Sequence, residues 1–350
     1  MAIVELLAFR TASRRRAPPA PYAILPAVPS AGGAWTFVEI IVIANPRGLA
    51  ATPLWGEARA RLSGLGALRV EETRGDGTDA ARLAALLATQ AADVVVAAGG
   101  DGTVREVAAA LMQLAPPQRP QLAILPLGTA NNVARSLGFL ALRQRGQAAI
   151  ERTVAAIGNG GSQPLDLGRV NGAWFIGSFA IGMDAAILAT RNRWRAGWHL
   201  GPRLGGYPLY LASCAANLAR PRAVTARLSD AGAVRQLPLY NLLVANTALY
   251  AGEFRFDAHD HSGDGLLDLH VFPSSTAYVR GFVGAWRRHV HFERGAAVEP
   301  PPLERLAHIL IELDAPLPSQ LDGEQGAVAA RFEVTVEAAA LRVCVATAGG

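Results

Sequence analysis

At 350 residues, 51% of them apolar and 17% charged, the chain can hold two domains with substantial cores and is too apolar to be disordered as a whole. Its two cysteines exclude a disulfide framework or a cysteine-built zinc site and point to a reducing, cytoplasmic compartment. The formal net charge of +5 suits polyanionic partners but is too diffuse and too poor in recognised motifs for nucleic acid, and it rests on arginine alone, since the chain has no lysine.

The segment 1–36, with RTASRRR at 10–16 and five prolines between 18 and 29, lacks domain-like periodicity and is expected to be a disordered extension. From Glu39 onward, short apolar runs alternate with amphipathic stretches of helix length, the pattern of βαβ units on a parallel sheet. Strands are predicted at 39–44, 68–73, 93–98 and 121–126, and helices at 55–66, 78–91 and 103–114. These make an α/β domain over 37–150.

The strand at 93–98 runs into Gly99-Gly100-Asp101-Gly102-Thr103 and then a helix start. Such a junction gathers bare backbone N–H groups, a hydroxyl and one carboxylate at a single point, as a polyphosphate with its Mg²⁺ requires. It is not a Walker loop, which needs a lysine after its second glycine. Gly99, Gly100 and Gly102 let the backbone approach phosphates without Cβ clashes, and Thr103 and Thr129 offer hydroxyls. The next strand ends the same way, in Pro126, Gly128 and Thr129, with Asn131 or Asn132 placed to cap the helix beyond. In an open parallel sheet, both turns then face one crevice at the carboxyl ends of the strands. Asp101 is placed to hold Mg²⁺ or to position an acceptor hydroxyl; its alternative is a cap on the helix that follows.

Beyond Pro164 the texture changes to short apolar runs bounded by Gly, Asn, Asp and Pro, which predicts an antiparallel sandwich or barrel over 151–333. One helical stretch interrupts it at 205–219. Arg191, Arg193, Trp194, Arg195, Trp198 and Arg203 cluster just before, either as residues resting on an anionic bilayer or as a solvated loop with buried tryptophans. No run approaches the ~18 uninterrupted apolar residues of a spanning helix, so a membrane would be met from its surface.

The ordered segments EIIVIANPRG at 39–48, GGDGT, PLGTANN, GDGLLDLHVF at 263–272 and QLDGEQ at 320–325 resemble the catalytic domain of the diacylglycerol kinase and sphingoid-base kinase superfamily. The likeness is to its bacterial lipid kinases in particular, whose fold is related to that of NAD kinases, and it covers nearly all of 38–345. It implies an α/β N-terminal domain with a parallel, NAD-kinase-like sheet, a mainly antiparallel β-sandwich C-terminal domain, and a closing strand over 334–350 that returns toward the first domain. It further implies ATP-dependent phosphorylation of a lipid hydroxyl, of diacylglycerol or a related lipid, in phospholipid biosynthesis. The partners implied are the lipid substrate and an anionic membrane surface touched peripherally.

Carried onto this sequence, the resemblance places Asn45 and Thr73 close to the nucleotide, together with Gly99, Gly100, Asp101, Gly102, Thr103, Gly128 and Thr129. It makes Glu324 the acceptor of the hydroxyl proton, whereas the residues QLDGEQG read alone are a turn. It also implies a Mg²⁺ site with the Asp264 side chain and the carbonyls of His261 and Leu266 as hard-oxygen ligands. The residues themselves read there equally well as an Asp-Gly hairpin turn. The chain departs from the family pattern at Arg47-Gly48, at Arg105 in place of asparagine, and at Asn132 where many relatives carry aspartate. Two rival functions stay open at this point: a kinase for NAD or another soluble alcohol, and a non-catalytic nucleotide- or lipid-binding regulator.

Overall fold

The computed structural model describes residues 38–46, 48, 54–128, 130–139, 146–198, 207–218, 224–230, 233–257, 262–294 and 304–345. The expected extension over 1–36 lies outside them, as do Arg47, Thr129, Arg203 and His261. Four strands open the chain: β1 (Val38–Ala44), β2 (Gly66–Glu72), β3 (Val94–Gly99) and β4 (Gln121–Pro126). They pair in parallel in the order β4-β3-β1-β2. VEIIVIA, VVVAAG and QLAILP are almost wholly buried, as strands covered on both faces must be. GALRVEE at the edge is half-buried and carries charges that blunt it. Helices α1 (Trp55–Ser63), α2 (Asp79–Thr89), α3 (Asp101–Leu111) and α5 (Gln147–Gly158) bury apolar stripes on this sheet, and the short α4 (Asn132–Ser136) adds Val133 and Ala134.

The remaining strands are antiparallel to their neighbours in the second half of the molecule: β5 (Ser162–Val170), β6 (Ala173–Phe175), β7 (Ser178–Gly182), β8 (Val224–Asp230), β9 (Ala233–Leu239), β10 (Asn241–Ala245), β13 (Leu267–Phe272), β14 (Glu304–Leu306), β15 (His308–Leu321) and β16 (Glu324–Cys344). A short hairpin of β11 (Leu249–Tyr250) and β12 (Phe254–Arg255) stands apart. The strands wrap a second core in which the rings of Phe175, Phe179 and Phe332 meet at centroid separations of 6.2 and 5.5 Å. The expected pairing of a parallel α/β part with an antiparallel β part is observed, and the two are one continuous sheet. β16 makes it so: its early residues pair with β15, its later ones with β5, and Val343 bridges Leu122 of β4 in parallel.

Among the described residues three helices, and not the single one expected at 205–219, interrupt the antiparallel part: α6 (Met183–Trp198), α7 (Tyr207–Leu218) and α8 (Ser275–Glu293). The segment read as a strand end followed by an arginine-rich loop is in fact α6. It starts directly after Gly182, the end of β7, whose φ of 96° turns strand into helix with no intervening turn residues to announce it. α8 contains glycines, β-branched and aromatic residues that lower its intrinsic propensity. Packing overrides propensity there: Tyr278, Phe282, Ala285 and His289 form one buried face, and the Ser274 hydroxyl accepts the Ala277 N–H at 3.2 Å as a cap. With Tyr240, Phe256 and Phe272 this face builds a third, aromatic core against β7, β10 and β13.

Candidate active site

All four parallel strands deliver their carboxyl ends to one edge of the sheet, and the described ones among the expected nucleotide-side residues lie along it. Asn45 follows β1 and donates its backbone N–H to Ala98 at 3.0 Å; buried Thr73 follows β2 and donates to Ala44 at 2.9 Å. Gly99 ends β3, Gly100 is the cap residue of α3, and Asp101, Gly102 and buried Thr103 form the first turn of that helix. Gly128 follows β4. A Cβ on Gly128 would lie 2.5 Å from the Gly100 Cα, so the two turns touch backbone to backbone. No side chain fits between them.

Asp101 is a cap, but of α4 and not of its own helix. Its Oδ1 accepts the Val133 N–H at 3.1 Å, and its Oδ2 accepts the Asn132 backbone N–H at 3.1 Å and the Asn132 Nδ2 at 3.2 Å. Burial pushes the Asp101 carboxyl above the usual range, against those hydrogen bonds. Asn131 and Asn132, expected to cap this helix through their side chains, do other work. Asn131, with a left-handed φ of 50°, folds back on Gly128, accepting its N–H at 3.0 Å and donating to its carbonyl at 2.8 Å. Asn132 bridges the halves of the molecule, since its Oδ1 accepts the Gly252 N–H at 2.6 Å. An aspartate at 132 would lack the donor that Asp101 uses, so the departure from the family pattern has a physical reason here.

Glu324 arrives from the antiparallel half, at the first position of β16. The turn before it, Asp322-Gly323, has φ values of 49° and 81°, the conformation that Asp-Gly favours in tight hairpins. Asp322 is half-buried and receives the N–H groups of Ile176, Gly177 and Ser178 at 2.8–2.9 Å. Burial pushes its carboxyl up to about 6, with the three amides opposing. Gln320 holds the other side, accepting the Gly323 N–H at 2.7 Å and donating to the Tyr250 hydroxyl at 3.2 Å. So anchored, the turn lays Glu324 on the first turn of α3. A Cβ on Gly102 would lie only 2.5 Å from the Glu324 Oε1. Arg105, one turn further along α3, pairs with the other carboxylate oxygen, Oε2, and donates to the Leu321 carbonyl at 3.0 Å.

Beside Asp101 a cavity of about 80 Å³ is walled by Asn132, Gly177, Ser178, Tyr250 and Asp322 among others. Sequence reasoning reaches Glu324 but misses Asp322, Tyr250 and Arg105 as site residues. Two signals for them exist: the Asp-Gly pair marks the hairpin, and Arg105 follows Asp101 by one helical turn, on the same face.

The Asp264 segment has a different character. Asp264 accepts the Leu266 N–H at 3.1 Å through Oδ1, and its Oδ2 is paired with Arg305, which also donates to Asp268 at 3.1 Å. A cation there would have to displace a guanidinium, and among the described residues no three His, Cys, Asp or Glu side chains group as a metal centre. His261, the remaining expected ligand of Mg²⁺, lies outside the described residues, so only Asp264 and Leu266 are seen. They form the turn that the sequence allowed as the alternative, with Gly265 at φ 79°.

Comparison with known proteins adds an independent line. The profile of the diacylglycerol kinase catalytic domain matches residues 39–170. The "Probable lipid kinase YegS-like" of Stenotrophomonas maltophilia (strain K279a) is 31% identical over 263 residues, 73% of this chain and 80% of that protein. The diacylglycerol kinase of Bacillus subtilis (strain 168) is 41% identical over 102 residues, which are 29% of this chain and 30% of that protein. The match to this relative, like that to the YegS-like protein of Cronobacter sakazakii, spans only about a third of the relative's length (30% and 38%). Among solved structures, a diacylglycerol kinase from Bacillus anthracis str. Sterne superposes with a TM-score of 0.63 at 20% identity, covering 89% of this chain and 97% of the other. That likeness shows a shared fold.

Proposed function

The chain belongs to the family of lipid kinases built on the diacylglycerol kinase catalytic domain, and from that premise we propose that it transfers the γ-phosphoryl group of ATP to a hydroxyl of a diacylglycerol-like lipid. One observation carries the reading. The Glu324 carboxylate, brought from the far half of the chain, lies on the first turn of α3 at Gly102, beside Asp101.

Phosphoryl transfer needs donor and acceptor aligned, charge on the moving group met, and the acceptor proton removed. The amino end of α3, where Gly100 and Gly128 meet with no side chain between them, is the surface offered to the phosphates. Mg²⁺ bound with the nucleotide would supply charge neutralisation on the phosphates. Glu324 takes the hydroxyl proton, because it is the carboxylate that lies on this turn without being committed to capping. Asp101 braces α4 against α3 and fixes the shape of the pocket, both of its oxygens being engaged by Asn132 and Val133. The cavity of about 80 Å³ beside it admits the hydroxyl-bearing end of a lipid and leaves acyl chains outside. The exposed Arg193 and Arg195 of α6 face an anionic bilayer at which that lipid is met.

Purified protein incubated with ATP labelled at the γ position, Mg²⁺ and a panel of lipids in mixed micelles should label at least one lipid in the organic phase. Glu324→Gln should lower turnover by ~10²- to 10⁴-fold with ATP affinity unchanged, the usual range for loss of a general base. Label in the aqueous phase alone would instead mean a soluble alcohol as acceptor. Tight ATP binding with transfer to nothing would mean a non-catalytic binder.

A further inference from the structure

Arg105 stands where the family pattern has asparagine, and its contacts give it a specific task. Its side chain is 18% exposed, whereas that of Glu324 is 54% exposed. A glutamate so open to solvent, on a hairpin turn, has several rotamers within reach and no packing to choose among them. Among the described residues, the one hydrogen-bond partner of its carboxylate is Arg105. The guanidinium makes two contacts at once, Nη1 to the Leu321 carbonyl at 3.0 Å and Nη2 to the Glu324 Oε2. It therefore grips the turn by its backbone and by its functional side chain, with the planar fork that only arginine provides. Holding Oε2 leaves Oε1 against Gly102. The anchor is rigid, because Arg105 leaves the same helix whose first turn is the GGDGT segment.

We propose that Arg105 is a positioning residue for Glu324, fixing one carboxylate oxygen so that the other faces the first turn of α3, where the acceptor hydroxyl is deprotonated. The inference rests on the kinase reading above. It differs from a simple tie between the halves of the molecule in acting on turnover through Glu324 alone. Misplacing a catalytic group by about 1 Å costs on the order of 10²-fold, so Arg105→Ala should lower kcat by ~10- to 100-fold with the KM for ATP changed by less than ~3-fold. Arg105→Lys keeps the charge and one contact but not both, and should fall between.

The decisive measurement is a double-mutant cycle on kcat: in the Glu324→Gln background, Arg105→Ala should cost less than ~3-fold more. Equal factors in both backgrounds, or a raised KM for ATP with kcat intact, would overturn the proposal; the second outcome would make Arg105 a phosphate ligand. Amide hydrogen exchange of the peptide over 319–327 gives a readout independent of turnover. It should quicken several-fold in Arg105→Ala and less in Arg105→Lys, and unchanged exchange would overturn the proposal even if the wild-type chain labelled no lipid. That absence of labelling in the wild type would by itself count against the kinase reading only.

Discussion

Gly102→Ala separates folding from chemistry with a single methyl group. The new Cβ would sit 2.5 Å from the Glu324 Oε1, closer than a carbon and an oxygen can approach. The obstacle is the far end of a flexible, half-exposed side chain, so the carboxylate swings away and the backbone stays. Gly102 sits in the first turn of α3 without a positive φ, and a helical glycine replaced by alanine gains up to about 1 kcal/mol. The displaced Arg105–Glu324 pair is largely solvent-exposed on the glutamate side and gives back at most about 1 kcal/mol. The terms nearly cancel, and the melting temperature should move by less than about 3 °C. Turnover should not survive as well. With Glu324 off the α3 turn, lipid labelling at saturating ATP should fall toward the ~10²- to 10⁴-fold loss expected for removing the base, beyond whatever ATP affinity the new methyl costs at the phosphate-binding turn, measured separately by calorimetry. A Gly102→Ala protein that melts normally, binds ATP and phosphorylates lipid at the wild-type rate would refute the assignment of Glu324 to the reaction.

Three further outcomes follow from the same contacts. Asn132→Asp removes the Nδ2 donor 3.2 Å from Asp101 and sets two carboxylates face to face, a repulsion of ~5 kcal/mol at an effective dielectric of 20. Urea midpoints of this variant should drop well below wild type at pH 8 and recover at pH 5 as the pair shares a proton. Gly128→Ala meets backbone instead of a flexible side chain, with its Cβ 2.5 Å from the Gly100 Cα, and should lose ~1–3 kcal/mol of stability by denaturant titration together with ATP affinity. Asp184, buried beneath Tyr278, Asn241 and Tyr250, has its carboxyl pushed by burial up to about 6 from 3.8. The folded state therefore binds that proton more tightly than the unfolded chain, and the stability it contributes is full below about pH 4 and lost as pH rises through about 6. The stability of Asp184→Asn minus that of wild type should rise across this window, by ~3 kcal/mol at most, and parallel pH profiles would contradict it.

What sequence shows of this molecule follows the range of the forces involved. The strands β3 and β4 are legible to within a residue, because a strand covered on both faces must be an unbroken apolar run and VVVAAG and QLAILP are little else. α6 and α8 escape because their local signals are weak, in α8 a Ser274 cap and a stripe interrupted by glycines and β-branched residues; packing against β7, β10 and β13 makes them helices. The site divides the same way. GGDGT, GTANN and Asp-Gly-Glu announce themselves through turn chemistry, but the partner of each polar group is set by the fold. Asp101 finds its donors 31 and 32 positions away, and Arg105 finds Glu324 across 219. The Asp264 turn shows the same limit, since its local composition allows a cation ligand or a turn and its partner Arg305 stands 41 positions on.

The long strand β16 has a consequence for how the protein is made. The α/β lobe is synthesised before the antiparallel one, yet its β4 is flanked by residues more than 200 positions later: Val343 bridges Leu122, Arg119 donates to the Ala340 carbonyl at 2.8 Å, and Ala340, Leu341, Val343 and Cys344 complete its apolar core. Throughout synthesis β4 is therefore an open sheet edge of the kind that invites pairing with another nascent chain. Expression of residues 38–160 alone should give an aggregation-prone fragment that supplying 324–345 in trans would partly rescue.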